Sequence, residues 1–146
     1  MKVHYSSEKN NWETPKKFYN ELDQKYNFNL DVASDIKNAK TERYYTIKED
    51  GLKQKWEGRV FCNPPYGREI KNWIEKAYNE SKKDYNELIV LLIPARTDTK
   101  YWHDFIFNKA SEIIFIKGRL KFEIEGKSTN PAPFPSALII YKGGDY

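Results

Sequence analysis

At 146 residues, with a formal charge of +4 and a pI of about 9.0, the chain has the size of one domain around one core. The sign of the charge suits a polyanionic partner such as nucleic acid, but 25 basic residues against 21 acidic ones leave too small an excess to establish it. The 39% hydrophobic and 32% charged residues exclude a disordered chain. A single cysteine, Cys62, excludes an internal disulfide and points to a cytoplasmic location.

Two histidines and that one cysteine argue against a structural zinc, so no metal is expected. No apolar run approaches the roughly 18 residues of a membrane span. Met1–Ser6 lacks the apolar centre of a signal peptide. Aromatic residues, at 16%, supply a large apolar area with some to spare for stacking on a ligand.

The first dozen residues are polar and either loose or folded over a site. Thr14-Pro15 is expected to start a helix, Thr as its cap and Pro at its first position, with Phe18, Leu22 and Tyr26 as its apolar stripe. Residues 28–32 alternate like a strand and end in Ala33-Ser34-Asp35, and residues 43–46 form a second strand candidate. Asp50-Gly51-Leu52 reads as a turn. Val60-Phe61-Cys62 is a short apolar strand that stops at Asn63-Pro64-Pro65-Tyr66-Gly67.

Ile70, Trp73, Ile74, Ala77 and Tyr78 then mark one buried helix face. Residues 88–93 form an apolar run suited to a central strand. After the loop 94–99, Tyr101, Trp102, Phe105 and Ile106 mark another helix. Residues 113–116 and 120–124 flank Lys117-Gly118-Arg119, a hairpin or a sharp bend, and residues 137–141 form a last strand. Alternating strands and helices with a strand-rich end predict a mainly parallel α/β sheet with an antiparallel C-terminal part. Ligands then belong beyond the carboxyl ends of the strands, in the loops after Val32, Cys62 and Ile93.

Asn63-Pro64-Pro65-Tyr66 carries the chemistry. An exocyclic amine on an aromatic ring is a poor nucleophile because its lone pair is delocalised. Acceptors on its two hydrogens draw the nitrogen toward tetrahedral geometry and free that pair. The Asn63 side-chain oxygen is one such acceptor, and the Pro64 carbonyl, held in a rigid turn, is another. Tyr66 can lie against a planar base, a contact worth roughly 1–3 kcal/mol, and Gly67 lets backbone approach a ligand. The plain alternative is a strand-ending turn. The placement, directly after an apolar strand and before an amphipathic helix, favours the chemical reading.

Several spaced segments resemble the phage-type DNA N-6-adenine methyltransferases almost end to end. They are Trp12-Glu13-Thr14-Pro15, Leu30-Asp31-Val32-Ala33, Asp50-Gly51-Leu52 with Trp56, and Asn63-Pro64-Pro65-Tyr66-Gly67. Further on come residues 94–99, Gly118-Arg119-Leu120 with Phe122, and Pro133-Phe134-Pro135-Ser136-Ala137. The resemblance implies a Rossmann-like fold, S-adenosylmethionine as methyl donor, and adenine in double-stranded DNA as acceptor. It assigns Asn63, Pro64, Pro65 and Tyr66 to catalysis.

The donor side is expected at Thr14, Pro15, Asp31, Ala33, Ser34 and Asp50, with Asn63 shared. No glycine-rich turn follows the first strand, so small residues would stand in for it. Asp31 could accept from the donor's amino group or be a solvated or capping carboxylate. Asp50 resembles the acid that receives the donor's adenine amine. Arg96, Arg119 and Lys121 are DNA-contact candidates, against a reading as ordinary surface charge. Trp12, Trp56, Trp73 and Trp102 are read as core or pocket wall.

The whole of 1–146 is read as one domain with no separate recognition domain, and target specificity could require a homodimer. Two rivals stand beside this reading: methylation of RNA or of a protein amide, and a non-catalytic DNA-binding relic of the fold.

Overall fold

The computed structural model describes residues 12–143; the loose N-terminal stretch expected over residues 1–11 lies outside the described residues. Among the described residues, eight strands and two α-helices appear in the order α1 (Lys16–Tyr26), β1 (Leu30–Asp31), β2 (Arg43–Tyr44), β3 (Gly58–Cys62), α2 (Ile70–Glu80), β4 (Asn86–Pro94), β5 (Glu112–Phe115), β6 (Glu123–Ile124), β7 (Lys127–Ser128) and β8 (Ser136–Lys142). Gly51–Lys53 forms a 3-10 turn and Trp102–Ile106 a π-helical turn.

Six strands make one sheet in the order β2-β1-β3-β4-β8-β5. β2, β1, β3 and β4 run parallel, and β8 lies antiparallel between β4 and β5. The mainly parallel sheet with a reversed C-terminal strand agrees with the alternation read from the sequence. β6 and β7 pair with each other in a separate ribbon, which Glu13 joins through a single antiparallel bridge to Glu123. Residues 113–116 and 120–124 therefore do not form a hairpin: the chain bends at Lys117-Gly118, and the first segment joins the main sheet while the second enters the ribbon.

The register places the site. Asp31 sits opposite Phe61, and Phe61 opposite Val90, so the chain leaves β1, β3 and β4 at one edge of the sheet. β4 and β8 are apolar and buried along nearly their whole length, as strands covered on both faces must be. Tyr19, Leu22 and Tyr26 of α1 are buried, with Phe18 half-buried beside them. α2 buries Ile70, Trp73, Ile74 and Ala77. Trp56, Trp73 and Trp102 are core residues.

Candidate active site

A cleft of about 990 Å³ opens at the carboxyl ends of β1 and β3. Thr14, Asp31, Ala33, Ser34, Asp50, Asn63, Pro64 and Pro65 all line it. Residues up to 51 positions apart in sequence are thus brought to one wall. Pro15 and Tyr66, expected at the same site, are not among its lining residues.

The turn after β1 holds its shape without glycines. Asp31 Oδ1 accepts the Ala33 N–H at 3.2 Å, and the Ser34 N–H donates to the Tyr45 carbonyl at 3.0 Å. Asp35 accepts the N–H groups of Lys37 and Asn38 at 2.9 and 2.8 Å. Asp31 is only 4% exposed, and burial pushes its carboxyl up to about 7, with the Ala33 N–H and Lys40 pulling the other way.

Asp50 stands at a left-handed φ of 60° and caps the 3-10 turn, accepting the Leu52 N–H at 3.1 Å. Gly51 next to it is wedged against Val32: a Cβ there would lie 2.2 Å from the Val32 carbonyl oxygen and 3.0 Å from the Trp73 ring. The Trp56 indole N–H donates to the Gly51 carbonyl at 2.8 Å, so this floor of the cleft is bolted to the core.

Asn63 follows β3 directly. Its side-chain nitrogen donates to the Trp12 carbonyl and, at 3.0 Å, to the Thr14 hydroxyl oxygen. Its side-chain oxygen is buried with no hydrogen-bond partner among the described residues. A buried acceptor left unpaired costs about 1–3 kcal/mol, so this oxygen is able to take a donor.

Tyr66 differs from the expectation of a base clamp along the cleft. Its ring is buried at 7% exposure, edge-on to Phe122 and Phe134 at 6.2 and 5.6 Å, and its hydroxyl donates to the Leu92 carbonyl at 3.1 Å. Burial pushes its phenol well above the ordinary value. Thr14 also differs from its expected capping role: Pro15 takes the cap position of α1, with no side-chain cap bond, and Thr14 turns to Asn63.

Sequence reasoning gave no role to Glu13. Its backbone bridges Glu123 of β6 in both directions, at 3.2 and 2.9 Å, and its carboxylate accepts the Glu125 and Gly126 N–H groups at 3.2 and 3.4 Å. The only signal in the sequence was its place inside the Trp12–Pro15 segment. Glu69 and Ile47 also line the cleft unforeseen, while Trp12 and Trp73, read as core or pocket wall, form part of its wall.

Among the cleft's walls stand six carboxylates (Glu13, Asp31, Asp35, Asp50, Glu69, Glu125) and three lysines (Lys37, Lys40, Lys48). In a basic chain this acidic excess suits a cationic ligand and opposes a polyanion. The basic candidates lie elsewhere. Arg96 is exposed, its guanidinium 5.7 Å above the Phe134 ring; Lys121 is exposed; Arg119 donates to the Ala132 carbonyl at 3.2 Å, which ties it to its own loop. No His, Cys, Asp or Glu group that could hold a metal occurs among the described residues, and no described helix is long and apolar enough to cross a membrane.

A mostly parallel α/β sheet with one reversed strand, and a ligand cleft across the carboxyl ends of its strands, define a Rossmann-like protein. The chain belongs to the DNA N-6-adenine-methyltransferase (Dam) family, whose model matches residues 3–143. A DNA N-6-adenine-methyltransferase of Haemophilus phage HP1 is 29% identical over 142 residues, 93% of this chain and 80% of its own length. One of Escherichia phage T1 is 32% identical over 119 residues, 79% of this chain and 48% of its own length. A solved structure from Pyrococcus horikoshii superposes with a TM-score of 0.48 at 10% identity, over 78% of this chain and 62% of that one.

Proposed function

We propose that this chain methylates the exocyclic N-6 amine of adenine in double-stranded DNA with S-adenosylmethionine as donor. The observation that carries this reading is the buried, unpartnered oxygen of Asn63, a residue that lines an acidic cleft. The donor is cationic at its sulfonium and its amino group, and the residues present fit it: Asp31 is a buried carboxylate able to receive the amino group, and Asp50 stands on the same wall. Ala33 and Ser34 keep the turn after β1 low enough for a ligand to lie on it. When bound, the donor supplies a methyl group on a good leaving group, so neither metal nor strong base is required of the protein.

The chain's own residues do the rest. Asn63 accepts one amine hydrogen and the Pro64 carbonyl is the candidate for the other, which localises the nitrogen lone pair for attack. The nitrogen gains the methyl carbon and then releases one proton to water. Holding two reactants in line supplies the larger part of the rate. The target base must leave the duplex to reach Asn63, and Tyr66 can meet it only if Phe122 and Phe134 give way. Arg96 and Lys121, both exposed and outside the acidic cleft, are the residues proposed to hold phosphates.

Methyl transfer from labelled S-adenosylmethionine to unmethylated DNA tests the reading. Label on adenine with wild type and none with Asn63→Ala supports it. Label on RNA or protein but not on DNA would overturn the acceptor, and no donor binding at all would overturn the enzymatic reading.

A further inference from the structure

An asparagine side chain has two faces of opposite polarity, an N–H2 that donates twice and an oxygen that accepts. Which face meets the substrate decides what the turn after β3 can recognise. Both Asn63 amide hydrogens are committed, one to the Trp12 carbonyl and one to the Thr14 hydroxyl oxygen at 3.0 Å. A backbone carbonyl only accepts, so nitrogen must face the 12–14 segment; the flipped amide would set oxygen against oxygen. The side-chain oxygen is thereby turned away from that segment, buried, and without a partner among the described residues.

The segment that imposes this choice is itself fixed. Thr14 is 3% exposed. Glu13 is bridged to Glu123 through both backbone groups and holds the β6–β7 turn through its carboxylate. Thr14 is free of the helix-capping duty its position suggests, since no side chain caps α1.

We propose that Thr14 is a positioning residue for methyl transfer. With the Trp12 carbonyl it locks the Asn63 amide as a pure acceptor, which selects a target presenting an N–H2 group and rejects one presenting a carbonyl or an unprotonated ring nitrogen. The assignment rests on the proposed function above and adds the part of the chain that orients its central residue. A Thr14 that merely walled the donor cleft would govern donor affinity. A Thr14 that orients Asn63 governs the rate of transfer.

The test compares Thr14→Val, which keeps the shape and loses the acceptor, with Thr14→Ser, which keeps the hydroxyl. Loss of one ordinary hydrogen bond predicts a fall in kcat of roughly 3- to 10-fold for Thr14→Val, with KM for S-adenosylmethionine unchanged. Thr14→Ser recovers most of that rate. Independently of turnover, both Asn63 side-chain amide protons exchange slowly with solvent in the wild-type protein by 15N-resolved NMR, and one exchanges fast in Thr14→Val.

A raised KM at unchanged kcat in Thr14→Val overturns the proposal, as does a Thr14→Ser enzyme as slow as the valine variant. Should Thr14→Val fail to fold, exchange in the wild type decides: two fast Asn63 amide protons refute the lock. Should the wild type methylate no DNA, the functional reading fails, while the exchange measurement still decides the orientation of the amide.

Discussion

Replacing Asn63 by alanine separates activity from stability in an unusual way. The change removes two hydrogen bonds, to Trp12 and Thr14, each worth about 0.5–1.5 kcal/mol net. It also removes a buried oxygen with no partner, whose desolvation costs about 1–3 kcal/mol. The Trp12 carbonyl and the buried Thr14 hydroxyl lose this donor, which outweighs part of that relief, so stability by urea denaturation should fall by about 1–2 kcal/mol. The chemical step loses an acceptor that acts where positive charge develops on nitrogen. Removal of such a group lowers rates by about 100- to 1,000-fold in comparable sites. Single-turnover transfer from labelled S-adenosylmethionine, with donor binding measured by calorimetry, reads the rate apart from product release. Wild-type rate in the variant would refute the chemical role. A destabilisation beyond about 3 kcal/mol would show instead that Asn63 is a structural keystone and that lost activity follows from lost fold.

Three further outcomes follow from the same contacts. Because burial raises the Asp31 carboxyl to about 7, the folded protein holds a proton that the unfolded chain releases near the ordinary carboxylate value. Stability from this group is therefore full at low pH and is lost as pH rises toward 7, with a slope approaching about 1.4 kcal/mol per pH unit, and Asp31→Asn should remove that slope in denaturation curves taken from about pH 4 to 7. Gly51→Ala drives a methyl group into the Val32 carbonyl and the Trp73 ring, and should cost about 2–4 kcal/mol in urea denaturation while weakening donor binding. Arg96→Ala should weaken DNA binding evenly across sequences and lower the slope of log affinity against log salt by about 0.9, measured by fluorescence anisotropy.

Much of this fold was legible because its signals are local. The run at residues 88–93 announces β4 by unbroken apolarity, and the Ile70–Tyr78 spacing announces α2. The turn that carries Asn63 was legible because it sits between the short apolar strand β3 and the strong helix signal of α2. Thr14 was misread because its true partner lies 49 residues away, while a Thr-Pro pair before a helix carries the local signature of a cap. The packing around Tyr66 was illegible for a related reason: the rings beside it, Phe122 and Phe134, come from segments with no periodicity to betray them. The bend at Lys117-Gly118 looked equally like a hairpin, since only pairing with β8 decides which way β5 goes.

The position of β8 has a consequence for how the chain acquires its structure. It is made after both of its neighbours yet lies between them. β5 has no other strand to pair with, so its backbone groups stay unmatched until residues 136–142 arrive. β4, with one backbone edge already paired to β3, meanwhile presents its other edge, Leu88–Ile93, open, the kind of edge that recruits other chains. Closure of the sheet is thus a late, long-range event, and slow translation through the segment after β5 would prolong the interval in which the growing chain is prone to aggregate.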